Sequence, residues 1–168
     1  MYFLSHGPAT LHDFVWWSGL AVKDARNALE MVKDHFICET LGAETYWLSD
    51  SSGNIRSEHS LPCLLPAFDE FLISYRDWTA SLSDLHKKVI SDNGIFRPVI
   101  VLDGQIIGIW KRVIKKNVVS IETRFIESIS KAKMDQVEWV AEKFGRFLNC
   151  KAEVKHHRGD EAFNNPKI

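Results

Sequence analysis

The chain has 168 residues, 45% of them hydrophobic and 26% charged, with a formal net charge of −1. This is globular composition, with room for one generous domain or two small ones. Near-neutrality excludes a uniformly basic nucleic-acid binder, so any such binding must rest on local patches.

In chain order, the first signal is "GPATLHDFVWWSGL". Thr10 is a good N-cap, and Asp13 three residues on stands in for the usual Glu of a capping box. Leu11, Phe14, Val15 and Trp17 follow at helical spacing, and Gly19 suits the left-handed residue that closes a short helix. Adjacent helical residues point about 100° apart. The pair Trp16-Trp17 therefore predicts a helix clamped on two sides, one indole in the core and the other on a neighbour. "LAVKDARNALEMVKD" then puts Val22, Ala25, Leu29 and Val32 on one face and Lys23, Arg26, Asn27 and Glu30 on the other. "HFICETLGAETYWLSD" alternates on both sides of Gly42-Ala43, as a hairpin does.

Two helices followed by a hairpin, within residues 1–52, is winged-helix order. A further helix normally comes first, and only "YFLSH" is present to supply it. The expectation is a truncated first helix, in a shortened product or the C-terminal portion of a longer protein. Apolar surface around Phe3, Leu4 and Trp16 would then be uncovered and would serve as an interface. Its occupant would be a second copy or the missing N-terminal winged-helix domains.

"SDSSGNIRSEHS", residues 49–60, reads as a linker. A β-rich domain is expected over 61–156. It opens on the aromatic run "LPCLLPAFDEFLISYRDW", followed by a short helix in "SLSDLHKKVIS". In "RPVIVLDGQIIGIWKRVIKKNVVSIETRFI", Asp103-Gly104 is a type I′ dipeptide between Val/Ile-rich runs, and Lys115-Lys116-Asn117 turns the chain again. Three antiparallel strands result. An amphipathic helix over 130–148 follows, "KAEVKHH" adds a last strand, and 157–168 reads as a loose tail.

The chain carries no G-x-S-x-G elbow, phosphate loop or GxGxxG opening a helix. His156-His157 on a strand face opposite sides, so no metal site is expected, and no cofactor is implied. Cys38, Cys63 and Cys150 include no Cys-x-x-Cys pair, which favours a reducing, cytoplasmic setting. No run is long enough to span a membrane, and the start lacks the pattern of a signal peptide.

Three constellations bear on function. Asp69, Tyr75, Arg76, Asp77 and Arg97 form a possible cluster, either for acid–base work or as ordinary charge pairing. Trp110, Lys111, Arg112, Lys115 and Lys116 make a basic hairpin with one aromatic. It fits a phosphate backbone and a stacked base, or an edge strand kept soluble by lysines. Lys23, Arg26 and Asn27 sit where a recognition helix contacts DNA, with Asp24, Glu30 and Asp34 interleaved.

"GPATLHDFVWWSGL", "LLPAFDEFLISYRD", "NGIFRPVIVLDGQIIGIWKR" and "FGRFL" together resemble the C-terminal half of the bacterial winged helix DNA-binding family. That family includes DNA glycosylases that unhook interstrand crosslinks. The likeness runs from about Tyr2 to Leu148, with the motifs in the same order. It implies a last winged helix followed by a β-barrel-like domain. The glycosylase branches carry a catalytic Gln-x-Gln or Gln-x-Asp motif ahead of this region. Here Gln105 precedes Ile106-Ile107 and Gln136 precedes Val137-Glu138, so no catalytic residue carries over. "YRDWT" stands where the family often has "YRDRS", which removes the basic residue after Asp77.

The combined expectation is an α+β chain, a winged helix followed by a small barrel-like domain, that binds DNA without a catalytic motif of its own. The alternatives are a complete base-processing enzyme using Asp69 or Asp77, and a protein-interaction module.

Overall fold

The computed structural model describes residues 2–50, 61–92 and 94–157. The predicted linker, beyond Asp50, and the predicted tail, beyond His157, lie outside the described residues. Two compact units divide the chain.

The first unit comprises α1 (Tyr2–His6), β1 (Ala9–Thr10), α2 (Leu11–Ser18), α3 (Val22–Glu30), β2 (Ile37–Leu41) and β3 (Glu44–Leu48). It also takes α4 (Glu70–Ile73) and the segment up to Trp78. The unit is thus discontinuous in sequence, which a boundary near residue 52 had not provided for. β1 and β2 flank β3 in an antiparallel sheet, with Ala9 and Cys38 on either side of Trp47.

Thr10 and Asp13 form the capping box of α2. Thr10 Oγ1 accepts the Asp13 N–H at 3.1 Å, and Asp13 Oδ2 accepts the Thr10 N–H at 2.9 Å. Gly19 closes the helix at φ 69°, and its N–H reaches the Val15 carbonyl at 3.0 Å. Tyr2, Phe3, Ala9 and Leu29 are the buried centre, with Phe14, Phe36, Trp47 and Tyr75 around them. Phe3 is therefore covered, contrary to the expectation for it, because α1 turns it onto Phe14 and Phe36.

Neither tryptophan enters this core. Trp16 is 58% and Trp17 47% exposed, because α2 presents Asp13 and Phe14 inward instead. Each indole is held by a neighbour. Trp16 Nε1 donates to the Ile73 carbonyl at 3.0 Å, and Trp17 packs 5.2 Å from the Tyr2 ring.

The second unit comprises β4 (Cys63–Leu65), α5 (Lys87–Ile90), β5 (Ser91–Asp92), β6 (Ile95–Phe96), β7 (Val99–Leu102), β8 (Gln105–Lys115), β9 (Val118–Phe125), α6 (Lys131–Phe147) and β10 (Lys151–His157). Asp103 and Gly104 both have positive φ, the type I′ geometry that lets β7 and β8 pair with matching twist. The five-stranded sheet runs β10-β9-β8-β7-β4 and stays open. This corrects the barrel-like expectation. The α6 crossover lays β10 parallel to β9, so β10 and β4 end as the two edges.

α6 covers one face of this sheet. Val137 and Ala141 bury against Ile100, Trp110, Val119 and Ile121, and alternate residues of β9 supply the buried positions. Gly145 lets the helix approach β10 closely, since a Cβ there would lie 2.8 Å from the Ala152 Cβ.

Candidate functional site

α3 buries Ala25 and Leu29 and turns Lys23, Arg26 and Asn27 to solvent. Alternation of small apolar and polar residues at helical spacing produces this division. Near the end of the helix Lys33 and Glu30 pair at 2.7 Å, which cancels charge there, while Lys23 and Arg26 lie toward its start with Asp24 between them.

The basic hairpin splits differently from its sequence reading. Trp110 is only 3% exposed. Its Nε1 donates to the Leu65 carbonyl at 2.8 Å, and its ring stands edge-on to Phe144 at 5.8 Å. A buried ring with its polar atom satisfied cannot stack on a base, so that role is corrected to a core one. Lys111 pairs with Glu122 at 3.1 Å. Burial pushes the Glu122 carboxyl up, but Lys111 and His157 outweigh it and hold it below the usual carboxylate range. Arg112 lies over the rings of Trp110 and Phe144, at 5.8 and 5.5 Å. Lys115 and Lys116 are exposed at the turn, Lys116 with φ 53°.

Of the suspected carboxylate cluster, Tyr75, Arg76 and Asp77 fall in the first unit and Asp69 and Arg97 in the second. Of the residues that gather around Tyr75 and Arg76, His6 was not singled out from sequence, and Asp13 only as a helix cap. Tyr75 Oη donates to the His6 carbonyl at 2.9 Å, and the Arg76 N–H donates to Asp13 Oδ1 at 2.8 Å. Glu70, which the sequence reading did not single out, is held by two side chains. It accepts from Ser74 Oγ, and its Oε2 lies 2.9 Å from His6 Nε2.

The Ser74 hydroxyl, then the His6 imidazole, hold the Glu70 carboxyl below its ordinary range, with a smaller contribution from the Trp17 indole. A carboxylate kept ionised in this way is a poor proton donor and a weakened base. His6 Nε2 faces Glu70, while its Nδ1 faces Ser5 Oγ at 2.8 Å. The His6 ring stacks on Tyr2 at 4.8 Å. The arrangement is a clasp that ties α1, α2 and α4 together. The spacing "EFLIS", with Ser74 four residues after Glu70, was its one local signal.

Among the described residues no His, Cys, Asp or Glu group is arranged to hold a metal ion, and no helix is long and apolar enough to cross a membrane.

The fold and this site define a two-unit α+β protein with an exposed polar helix face and a basic strand turn. A family profile described as DNA glycosylase AlkZ-like matches residues 1–147, and the chain belongs to that family. Among solved structures it is similar to the DNA glycosylase AlkZ of Streptomyces sahachiroi, with a TM-score of 0.73 and 19% identity. The match covers 91% of this chain and 43% of that one. No curated protein matches the chain.

Proposed function

We propose that the chain is a DNA-binding module of this glycosylase-like family, corresponding to the C-terminal part of a longer winged-helix glycosylase. In this reading the first unit is a winged helix with α3 as recognition helix. Lys23, Arg26 and Asn27 meet the duplex, and in the second unit, taken by itself, Arg112, Lys115 and Lys116 offer phosphate contacts. The observation that carries it is the outward presentation of Lys23, Arg26 and Asn27 on a helix buried only through Ala25 and Leu29. Support also comes from element order, since a helix, a short strand, two helices and a hairpin is winged-helix order.

The family's glutamine motif is lacking here, and Glu70 is engaged in the clasp, so the reading assigns binding rather than base excision to this chain. The dispersed cysteines favour a reducing, cytoplasmic setting. Leu4 and Trp16, 48% and 58% exposed, favour a partner on the first unit, either a second copy or further winged-helix domains.

Titration of a labelled duplex at several salt concentrations tests the reading. Binding should weaken steeply with salt, with a log–log slope of about −2 to −3.5 if two to four phosphates are contacted. The double reversal Lys23→Glu with Arg26→Glu should lower affinity by at least tenfold. Salt-insensitive binding, or full affinity in a folded double variant, refutes it.

A further inference from the structure

A cleft of about 510 Å³ opens in the second unit where β9 and β10 end. Its volume lies in the range of small-molecule sites and is ample for one nucleobase. Val89, Phe125, Ile129 and Met134 give it apolar walls, and Arg124 and Glu127 give it a donor and an acceptor. His86 and His157 stand at the same opening. Apolar walls with a donor side chain and an acceptor side chain are what a nucleobase edge and face require.

The sheet leads toward this cleft. α6 covers the face that carries Trp110, Val119 and Ile121. Register places the intervening residues on the opposite face. Lys115 and Lys151 lie beside Val118, Lys111 and Lys155 flank Glu122, and His157 sits beside Arg124 at the cleft. Together with Glu153, opposite Ser120, that face has Lys111, Lys115, Lys151, Lys155 and Arg124 against Glu122 and Glu153. The rows are about 6.7 Å apart along the strands. A basic track that ends in an apolar, hydrogen-bonding cleft is the layout used to hold an unpaired strand with a base tucked in.

We propose that this cleft binds a single nucleobase bearing an amine edge, such as cytosine, with the β8–β9–β10 face carrying the phosphates that lead to it. The inference rests on the DNA-binding reading and extends it within the second unit, where Lys115 belongs to both surfaces. The base could come from an unpaired strand or from a free nucleotide, and the test separates these sources.

The probes are a labelled cytosine strand, a labelled thymine strand, an abasic strand of equal length, and deoxycytidine monophosphate. The cytosine strand should bind about tenfold more tightly than the abasic strand at the same salt. Met134→Trp, which fills the cleft, should abolish that preference and leave affinity for the abasic strand unchanged. Glu127→Ala, at an exposed position, should reduce the preference for cytosine over thymine and provides the arm that does not depend on repacking. Saturable shifts of the Met134 methyl signal by deoxycytidine monophosphate, without a strand preference, would assign the site to free nucleotides. Equal binding of all strands with no methyl shift overturns the proposal, as does a preference that survives both variants. Lys23→Glu with Arg26→Glu should leave the base preference intact, so failure of the α3 reading and failure of this one give different results.

Discussion

Asp13 Oδ1 accepts the Arg76 N–H at 2.8 Å while Oδ2 accepts the Thr10 N–H and hydroxyl at 2.9 and 2.8 Å. One buried carboxylate therefore caps α2 and also anchors the segment after α4. Asp13→Ala removes the cap and leaves backbone donors unpaired, and the expected loss is about 2–4 kcal/mol. Urea unfolding measures it. Asp13→Asn retains an acceptor and should cost less than the alanine variant. Equal stability of Asp13→Ala and the parent would contradict the role.

Acid stability should depend on Glu70. Its carboxyl is held low by Ser74 and then by His6. The folded state therefore binds that proton less readily than the unfolded state does. The stabilisation is present above the ordinary carboxylate range and is lost as pH falls through the lowered value. Glu70→Gln should flatten the acid limb of the stability profile, followed by thermal melting between pH 3 and 7 in steps of about half a unit. An unchanged slope in that variant would show that the clasp does not form.

The basic hairpin should separate into a core residue and surface charges. Trp110→Ala is expected to destabilise the second unit by about 3–5 kcal/mol, because it opens a cavity and orphans the Leu65 carbonyl. Lys115→Glu with Lys116→Glu should change stability by less than about 0.5 kcal/mol and still lower duplex affinity several-fold. Far-ultraviolet melting and anisotropy, run on the same preparations, check both halves. A hairpin that serves only as a guarded edge would show no change in affinity.

Gly145 sets how closely α6 approaches β10. Gly145→Ala places a Cβ 2.8 Å from the Ala152 Cβ and 3.0 Å from the Cys150 carbonyl oxygen. The helix must shift, at a cost of about 1–3 kcal/mol that outweighs the better helix propensity of alanine. Ala152→Gly in the same chain should restore part of the loss. Denaturant midpoints of the single and double variants report this directly.

Much of the local structure was legible in the sequence, because it is decided by residues a few positions apart. Thr10 and Asp13 announce the start of α2, Gly19 its end, and Asp103-Gly104 the β7–β8 turn. The alternation over Val118–Phe125 marks the face of β9 that α6 buries. The kinship with DNA glycosylases, too, was legible from motif order. Tertiary structure decided where these pieces meet. Tyr2 Oη donates to the Ser74 carbonyl across 72 residues of chain, and that return brings Glu70 beside His6. Trp110 sat in a basic stretch that reads equally well as binding surface or core. Only the packing of α6, and the Leu65 carbonyl that takes its N–H, turned the ring inward. The sheet remained open for a reason of the same kind. A strand's pattern states which face is buried but not which strand becomes its neighbour, and here the α6 crossover put β10 parallel to β9 and left β4 at the far edge.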